Sequence, residues 1–119
     1  MTAMAAGLPV ISLQTVGVKT GLPRTALLMG IPYEGRLAIA GANFGQAAMP
    51  AWVRNLEAHP DAVVTFRDGS VRVTARLATS EEYSEVAAAA REVYPQSARY
   101  LKRAAARGVP IFILEDLPA

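Results

Sequence analysis

The Asp68-Gly69 pair, with Ala62-Val63-Val64-Thr65-Phe66 before it and a regular alternation after it, is the feature that most constrains this chain. Val71, Val73, Ala75 and Leu77 alternate with Arg72, Thr74 and Arg76. An Asp-Gly pair favours a tight two-residue hairpin, and a period of two puts each set of side chains on its own face. Two antiparallel strands are therefore expected, apolar on one face and wet on the other, with both arginines in solvent. Leu8–Val16 and residues 25–31, 37–42 and 110–114 read as further strands. Residues 25–31 and 37–42 are nearly continuously apolar, the pattern of strands buried on both faces. Pro32-Tyr33-Glu34-Gly35 divides these two with turn chemistry. Pro50 is placed to open a helix running to about His59, where Pro60 stops it. Thr79-Ser80-Glu81-Glu82 is a capping box, and Tyr83, Val86, Ala87, Ala90, Val93 and Tyr94 form the apolar stripe of the helix behind it. After Pro95 a further helix is expected over residues 96–107, with Gly108 as its stop. The order β-β-β-α-β-β-α-α-β predicts an α+β fold. About six mainly antiparallel strands curl into a small barrel, with helices packed outside. A length of 119 residues fits a single domain spanning 1–119.

Composition removes several kinds of function. The chain has no cysteine and one histidine, His59, which excludes thiol catalysis, disulfides and multi-histidine metal sites. A lack of cysteine also suits a reducing cytoplasm. The 12 basic and 10 acidic residues leave a net charge of +2, and no basic run is longer than Lys102-Arg103, so no nucleic-acid surface is expected. No apolar run approaches the roughly 20 residues of a membrane span. Residues 1–7 lack the cationic and apolar regions of an export signal. No serine–histidine pair stands at useful spacing, and the acidic residues sit at turns and element ends, which leaves hydrolytic and metal chemistry without support.

What remains points to a bound organic cofactor. Gly17-Val18-Lys19-Thr20-Gly21-Leu22-Pro23-Arg24 is a glycine-punctuated loop with two cations, between two apolar segments. Glycine permits positive φ and close backbone approach, while lysine and arginine offer a point charge and a planar fork to a phosphate or carboxylate. The same loop also reads as a polar hairpin connection with two solvated cations. In residues 37–42 the small side chains Ala38, Ala40 and Gly41 leave room for a ligand or for a helix packed close. On the helix after Pro50, Trp52, Asn55, Leu56 and His59 recur at spacings of three and four and so share a face. Asn55 either caps or braces the loop that precedes the helix, residues 43–49, or faces a ligand; His59 reads as a helix-end or surface residue. Such an inventory suits a protein that holds a planar, phosphorylated cofactor and lets the cofactor supply the chemistry.

Four stretches in order resemble the deazaflavin-dependent nitroreductase family of actinobacteria. They are Thr15-Val16-Gly17-Val18-Lys19-Thr20-Gly21-Leu22-Pro23-Arg24-Thr25, Pro50-Ala51-Trp52-Val53-Arg54-Asn55-Leu56, Val93-Tyr94-Pro95 and Val109-Pro110-Ile111-Phe112-Ile113-Leu114. The resemblance implies a split β-barrel related to flavin-reductase folds. It implies an oxidoreductase that binds the deazaflavin coenzyme F-420. Hydride would pass from the reduced coenzyme to an electron-poor small molecule, whether nitroaromatic, quinone or enone. By the same resemblance Lys19, Thr20 and Arg24 grip the coenzyme's phosphate and acidic tail, and Ala42, Asn43, Phe44 and Gly45 lie beside its ring. Pro50, Trp52 and Asn55 close the site, while Tyr94 and Tyr100 line the substrate side as candidate catalytic residues. Three positions depart from the family pattern: Val18 replaces an arginine, Val53 a tyrosine, and Ser97 stands where some members have another tyrosine. Two alternatives stay open from the residues themselves. One is an FMN or haem protein on a similar barrel, with FMN the better fitted. The other is a non-catalytic module holding the deazaflavin or a lipid. A homodimer through an edge strand or helix face is compatible with either.

Overall fold

The computed structural model describes residues 4–5, 8–41, 50–66, 69–93 and 110–117. Its elements are β1 (Met4–Ala5), β2 (Leu8–Val16), β3 (Pro23–Met29), β4 (Ile31–Tyr33), β5 (Arg36–Ala40), α1 (Ala51–Ala58), β6 (Asp61–Phe66), β7 (Gly69–Leu77), α2 (Ser80–Val93) and β8 (Ile111–Asp116). The expected helix at 96–107 and the hairpin residues Arg67 and Asp68 lie outside the described residues. Every ladder is antiparallel. The hydrogen-bonded path runs β1-β2-β6-β7-β8-β5-β4, and β3 also pairs with β2. Since only Gly30 separates β3 from β4, one bent run of chain pairs with β2 and then with β5, and the sheet curls back on itself.

Three expectations change here. The described residues form eight strands rather than about six, because the segment at 25–31 continues to Tyr33 and breaks at Gly30, and β1 is added to β2. Pro32, expected in a turn, lies inside β4 opposite Leu37. It is tolerated because β4 ends the hydrogen-bonded path, where a missing N–H costs no ladder bond. The turn is Glu34-Gly35 alone, with φ of 50° and 74° between the paired Tyr33 and Arg36. Positive φ at both central positions is the type I′ geometry that matches strand twist, yet a glutamate there is strained. Glu34→Asn is expected to raise stability by about 0.5–1 kcal/mol, checked by urea unfolding. The second hairpin is shifted too. Phe66 pairs with Gly69, so Gly69 begins β7 and does not serve as the second turn residue.

Two apolar layers hold the sheet. On one face Ile11, Leu13, Leu37, Ile39, Val64, Val73, Phe112 and Leu114 pack with Trp52, Val53 and Leu56 of α1. Burial of a large apolar side chain contributes about 1.5–3 kcal/mol, and α1, with eight residues, is too short to persist without it. On the opposite face Ile31, Tyr33, Ala38, Ile111 and Ile113 pack with Val86 and Ala90 of α2. β5 and β8 are thus covered on both faces, as their unbroken apolar sequences require. The same expectation fails for β3. Leu27 is 71% exposed and Thr25 is exposed, because the described helices cover β5 and β8 and leave the outer face of β3 bare.

The capping box forms as its sequence predicts. Glu82 N–H donates to Thr79 Oγ1 at 3.1 Å and Thr79 N–H donates to Glu82 Oε1 at 3.0 Å. Arg76 departs from its expected place in solvent, because β7 lies beside the start of α2. Its guanidinium donates to both Glu82 oxygens at 2.8 and 2.9 Å and to Glu115 at 3.2 Å. The forked bond from Arg76, with help from the Thr79 N–H, holds the Glu82 carboxyl down at about 2. A carboxylate lowered from 4.5 contributes stability that is complete above the ordinary value and lost as pH falls towards 2. Glu82→Gln is therefore expected to flatten the acid limb of a stability–pH curve between about pH 5 and 2, measured by denaturant unfolding at stepped pH.

Candidate functional site

The site is built on the connection between β2 and β3. Period two along β2 turns Ile11, Leu13 and Thr15 inward and Ser12 and Gln14 outward. Thr15, at 2% exposure, is thereby a buried hydroxyl at the end of an apolar stripe. Beyond it the chain folds on itself: Gly17 N–H donates to Leu22 O at 2.8 Å, Gly21 N–H to Gly17 O at 2.9 Å, and Leu22 N–H to Thr20 Oγ1 at 3.2 Å. Gly21 takes φ of +70°. Gly17 is needed for a different reason, since a Cβ there would lie 2.9 Å from Thr20 Oγ1 and 3.2 Å from Leu22 O. Both glycines serve the compactness of the loop itself.

Helix α1 fixes where that loop stands. Asn55, only 5% exposed, donates from Nδ2 to Thr15 Oγ1 at 2.9 Å and accepts the Val18 N–H at Oδ1 over 3.2 Å. Asn55 braces a loop, but the loop is 17–24 and not the one that precedes its helix, residues 43–49, which lies outside the described residues. A buried amide left without partners costs about 1–3 kcal/mol, so the tie between helix and loop is strongly specified. Position Val18 contributes its backbone to this tie while its side chain is half exposed.

Between loop and helix lies a cavity of about 780 Å³, inside the range of about 300–1,000 Å³ usual for small-molecule sites. Lys19, Thr20 and Arg24 line it from the loop side, and Ala51, Trp52, Arg54 and Asn55 from the helix. Five of the positions read from sequence are thus brought together: Lys19, Thr20, Arg24, Trp52 and Asn55. Lys19 and Arg24 are exposed and have no ion-pair partner among the described residues. No described carboxylate lines the cavity. In a chain with nearly balanced charge, three cations with no counter-ion among the described residues give the cavity a local positive charge. Helix α1 adds its positive end, with no acidic residue in its first turn.

Other positions take different roles. Pro50 is the N-cap of α1, not its first residue, and does not line the cavity. Trp52 is 7% exposed and sets its ring 6.2 Å from that of Phe112, so it is a core residue with one edge on the site. His59 leaves the shared face: it is the exposed C-cap, its N–H donating to Asn55 O at 2.8 Å. Gly41 serves helix packing, because a Cβ there would meet Val53 Cγ2 at 2.9 Å. Val53 is 1% exposed and belongs to the core. Ala42, Asn43, Phe44, Gly45, Tyr94, Ser97 and Tyr100 lie outside the described residues. Two contributors escaped the sequence. Thr15 had a signal in the inward alternation of β2. Arg54 had one only in its i+3 relation to Ala51, which shares the cavity wall.

Comparison with known proteins fits this geometry. A family model described as F-420H(2)-dependent quinone reductase matches residues 2–116. Among solved structures, an F-420-H2 dependent reductase is 31% identical with a TM-score of 0.77, over 90% of this chain and 94% of that one. A second, a domain-swapped dimer, is 29% identical with a TM-score of 0.75, over 90% and 80% of the two chains. A heme binding protein from Mycobacterium smegmatis shares the fold at 18% identity and a TM-score of 0.70, over 96% of this chain and 48% of that chain. With its curled antiparallel sheet, its cationic cavity and a family match over almost its whole length, the chain belongs to the F-420H(2)-dependent quinone reductases, oxidoreductases whose cofactor is the deazaflavin coenzyme F-420.

Proposed function

We propose that this protein passes a hydride from reduced coenzyme F-420 to a quinone or a similarly electron-poor acceptor, with the coenzyme's acidic tail held between the 17–24 loop and α1. The observation that carries this is the cavity lined by Lys19, Arg24 and Arg54 with no described carboxylate. The donor set fits a phosphorylated, carboxylated tail: two arginine forks, one ammonium, and the Thr20 hydroxyl, whose proton is free to donate while its oxygen accepts from Leu22 N–H. The reduced deazaflavin supplies the hydride; the protein supplies position and charge. Lys19 and Arg24 fix the tail, and the Asn55–Val18 tie fixes Lys19. Trp52, immobilised on Phe112, gives a rigid apolar edge against which a planar group is oriented. Ala42, Asn43, Phe44 and Gly45 are assigned to the ring side, and Tyr94 and Tyr100 to the acceptor side with the proton, on family resemblance. The reaction is placed in the cytoplasm, which suits a cysteine-free chain. A homodimer through an edge strand or helix face is part of the same proposal, supported by a similar solved structure that is a domain-swapped dimer.

The test is anaerobic mixing of the protein with reduced coenzyme and a simple quinone, following the return of the oxidised deazaflavin absorbance. Acceptor-dependent oxidation is expected. Tight binding of coenzyme with no turnover of quinone, nitroaromatic or enone would instead establish a carrier. A flavin spectrum in freshly purified protein would favour FMN.

A further inference from the structure

The charged lining of the cavity is divided between two elements. Lys19 and Arg24 belong to the β2–β3 connection, whereas Arg54 stands in the middle of α1. Arg54 is exposed and has no ion-pair partner among the described residues, although Glu57 follows it by three positions on the same helix. The described arginines that do meet carboxylates, Arg36 and Arg76, pair with Glu115 and Glu82, none of which lines this cavity. A guanidinium kept free of acidic neighbours on a cavity wall is available to an anion. Its placement relative to the loop is fixed, because the next residue, Asn55, is hydrogen-bonded to the Val18 N–H beside Lys19. The helix and the loop are therefore two jaws, held at a set distance by one buried amide.

We infer that Arg54 is a third anion-holding residue, contributed by helix α1, and that it takes a carboxylate of the coenzyme's acidic tail beyond the group held by Lys19 and Arg24. This rests on the placement of the tail proposed above. It makes affinity depend on how many acidic groups the tail carries, and it makes Arg54 a determinant of that dependence without a part in holding the ring. Because Arg54 is exposed and unpaired, its removal has little effect on folding.

The experiment measures binding, not turnover. Natural protein, Arg54→Gln and Arg54→Lys are titrated through Trp52 fluorescence with oxidised coenzyme F-420 and, separately, with its deazaflavin chromophore lacking the tail. For Arg54→Gln, Kd for the complete coenzyme is expected to rise about five- to tenfold, the size of one solvent-exposed charge-assisted contact. The tail-less chromophore is expected to bind all three proteins within about twofold, with equal melting temperatures. Arg54→Lys is expected to restore part of the loss, since charge returns without the fork. The salt dependence of Kd for the complete coenzyme is expected to be shallower in Arg54→Gln than in the natural chain. Equal Kd values for natural protein and Arg54→Gln, or a loss of the same size for both ligands, would overturn the role of Arg54 while leaving the tail site standing. Failure of the natural protein to bind the complete coenzyme more tightly than the tail-less one would overturn the tail site itself, and Arg54's role with it.

Discussion

Replacing Lys19 and Arg24 together with alanine is expected to weaken coenzyme F-420 binding about a hundredfold, with the melting temperature unchanged. Hydrogen bonds to charged groups contribute about 1.5–3 kcal/mol each when protected, and both residues are exposed, so a value just below that range is taken for each. Two contacts of about 1.4 kcal/mol give a factor of about a hundred. Stability is spared because neither side chain is buried and neither pairs with a described carboxylate. Trp52, the chain's single tryptophan, lies on the cavity wall and reports the titration by its fluorescence. An unchanged Kd in the double variant would mean that the tail binds elsewhere.

Asn55→Leu is expected to damage both fold and site. It leaves the Thr15 hydroxyl and the Val18 N–H without their partners, a cost of about 2–3 kcal/mol in total. For a chain of this size that lowers Tm by about 8–12 °C. Coenzyme Kd is expected to rise about tenfold in addition, since Lys19 loses its fixed position next to Val18. Thr15→Val in the same background removes the orphaned hydroxyl and is expected to recover part of the melting temperature but none of the affinity. A fall in Tm with no change in Kd would show that the loop keeps its place without the tie.

How much of this was legible beforehand differs by element. The capping box at Thr79 and Glu82 was fully legible, because the partners lie three residues apart in one chain segment and the bond is local. So was the double covering of β5, because an unbroken apolar strand has few other places to go. β3 carries almost the same apolar sequence and yet leaves Leu27 bare, since which face a helix covers is decided by topology and not by the strand's own residues. Arg76 looked like a solvent residue because its partners, Glu82 and Glu115, come from α2 and β8. Pro32 looked like a turn because its tolerance depends on β4 being the end of a path, a property of the whole sheet. The 17–24 loop was recognisable by its glycines and cations. Its tie to Asn55 spans 37 positions to Val18 and 40 to Thr15 and left no local mark. Arg54 was hidden for a related reason. A lone arginine on a helix is commonly a solvated charge, and only the juxtaposition of α1 with the loop turns it towards an anion.

A crystal structure of the natural protein with oxidised coenzyme F-420 bound tests the central claim most directly. The tail phosphate is expected within hydrogen-bonding distance of Lys19 and Arg24, with the chain of acidic groups lying between the 17–24 loop and α1. A coenzyme bound in full occupancy with its tail outside that cavity, and Lys19 and Arg24 left in solvent, would contradict it.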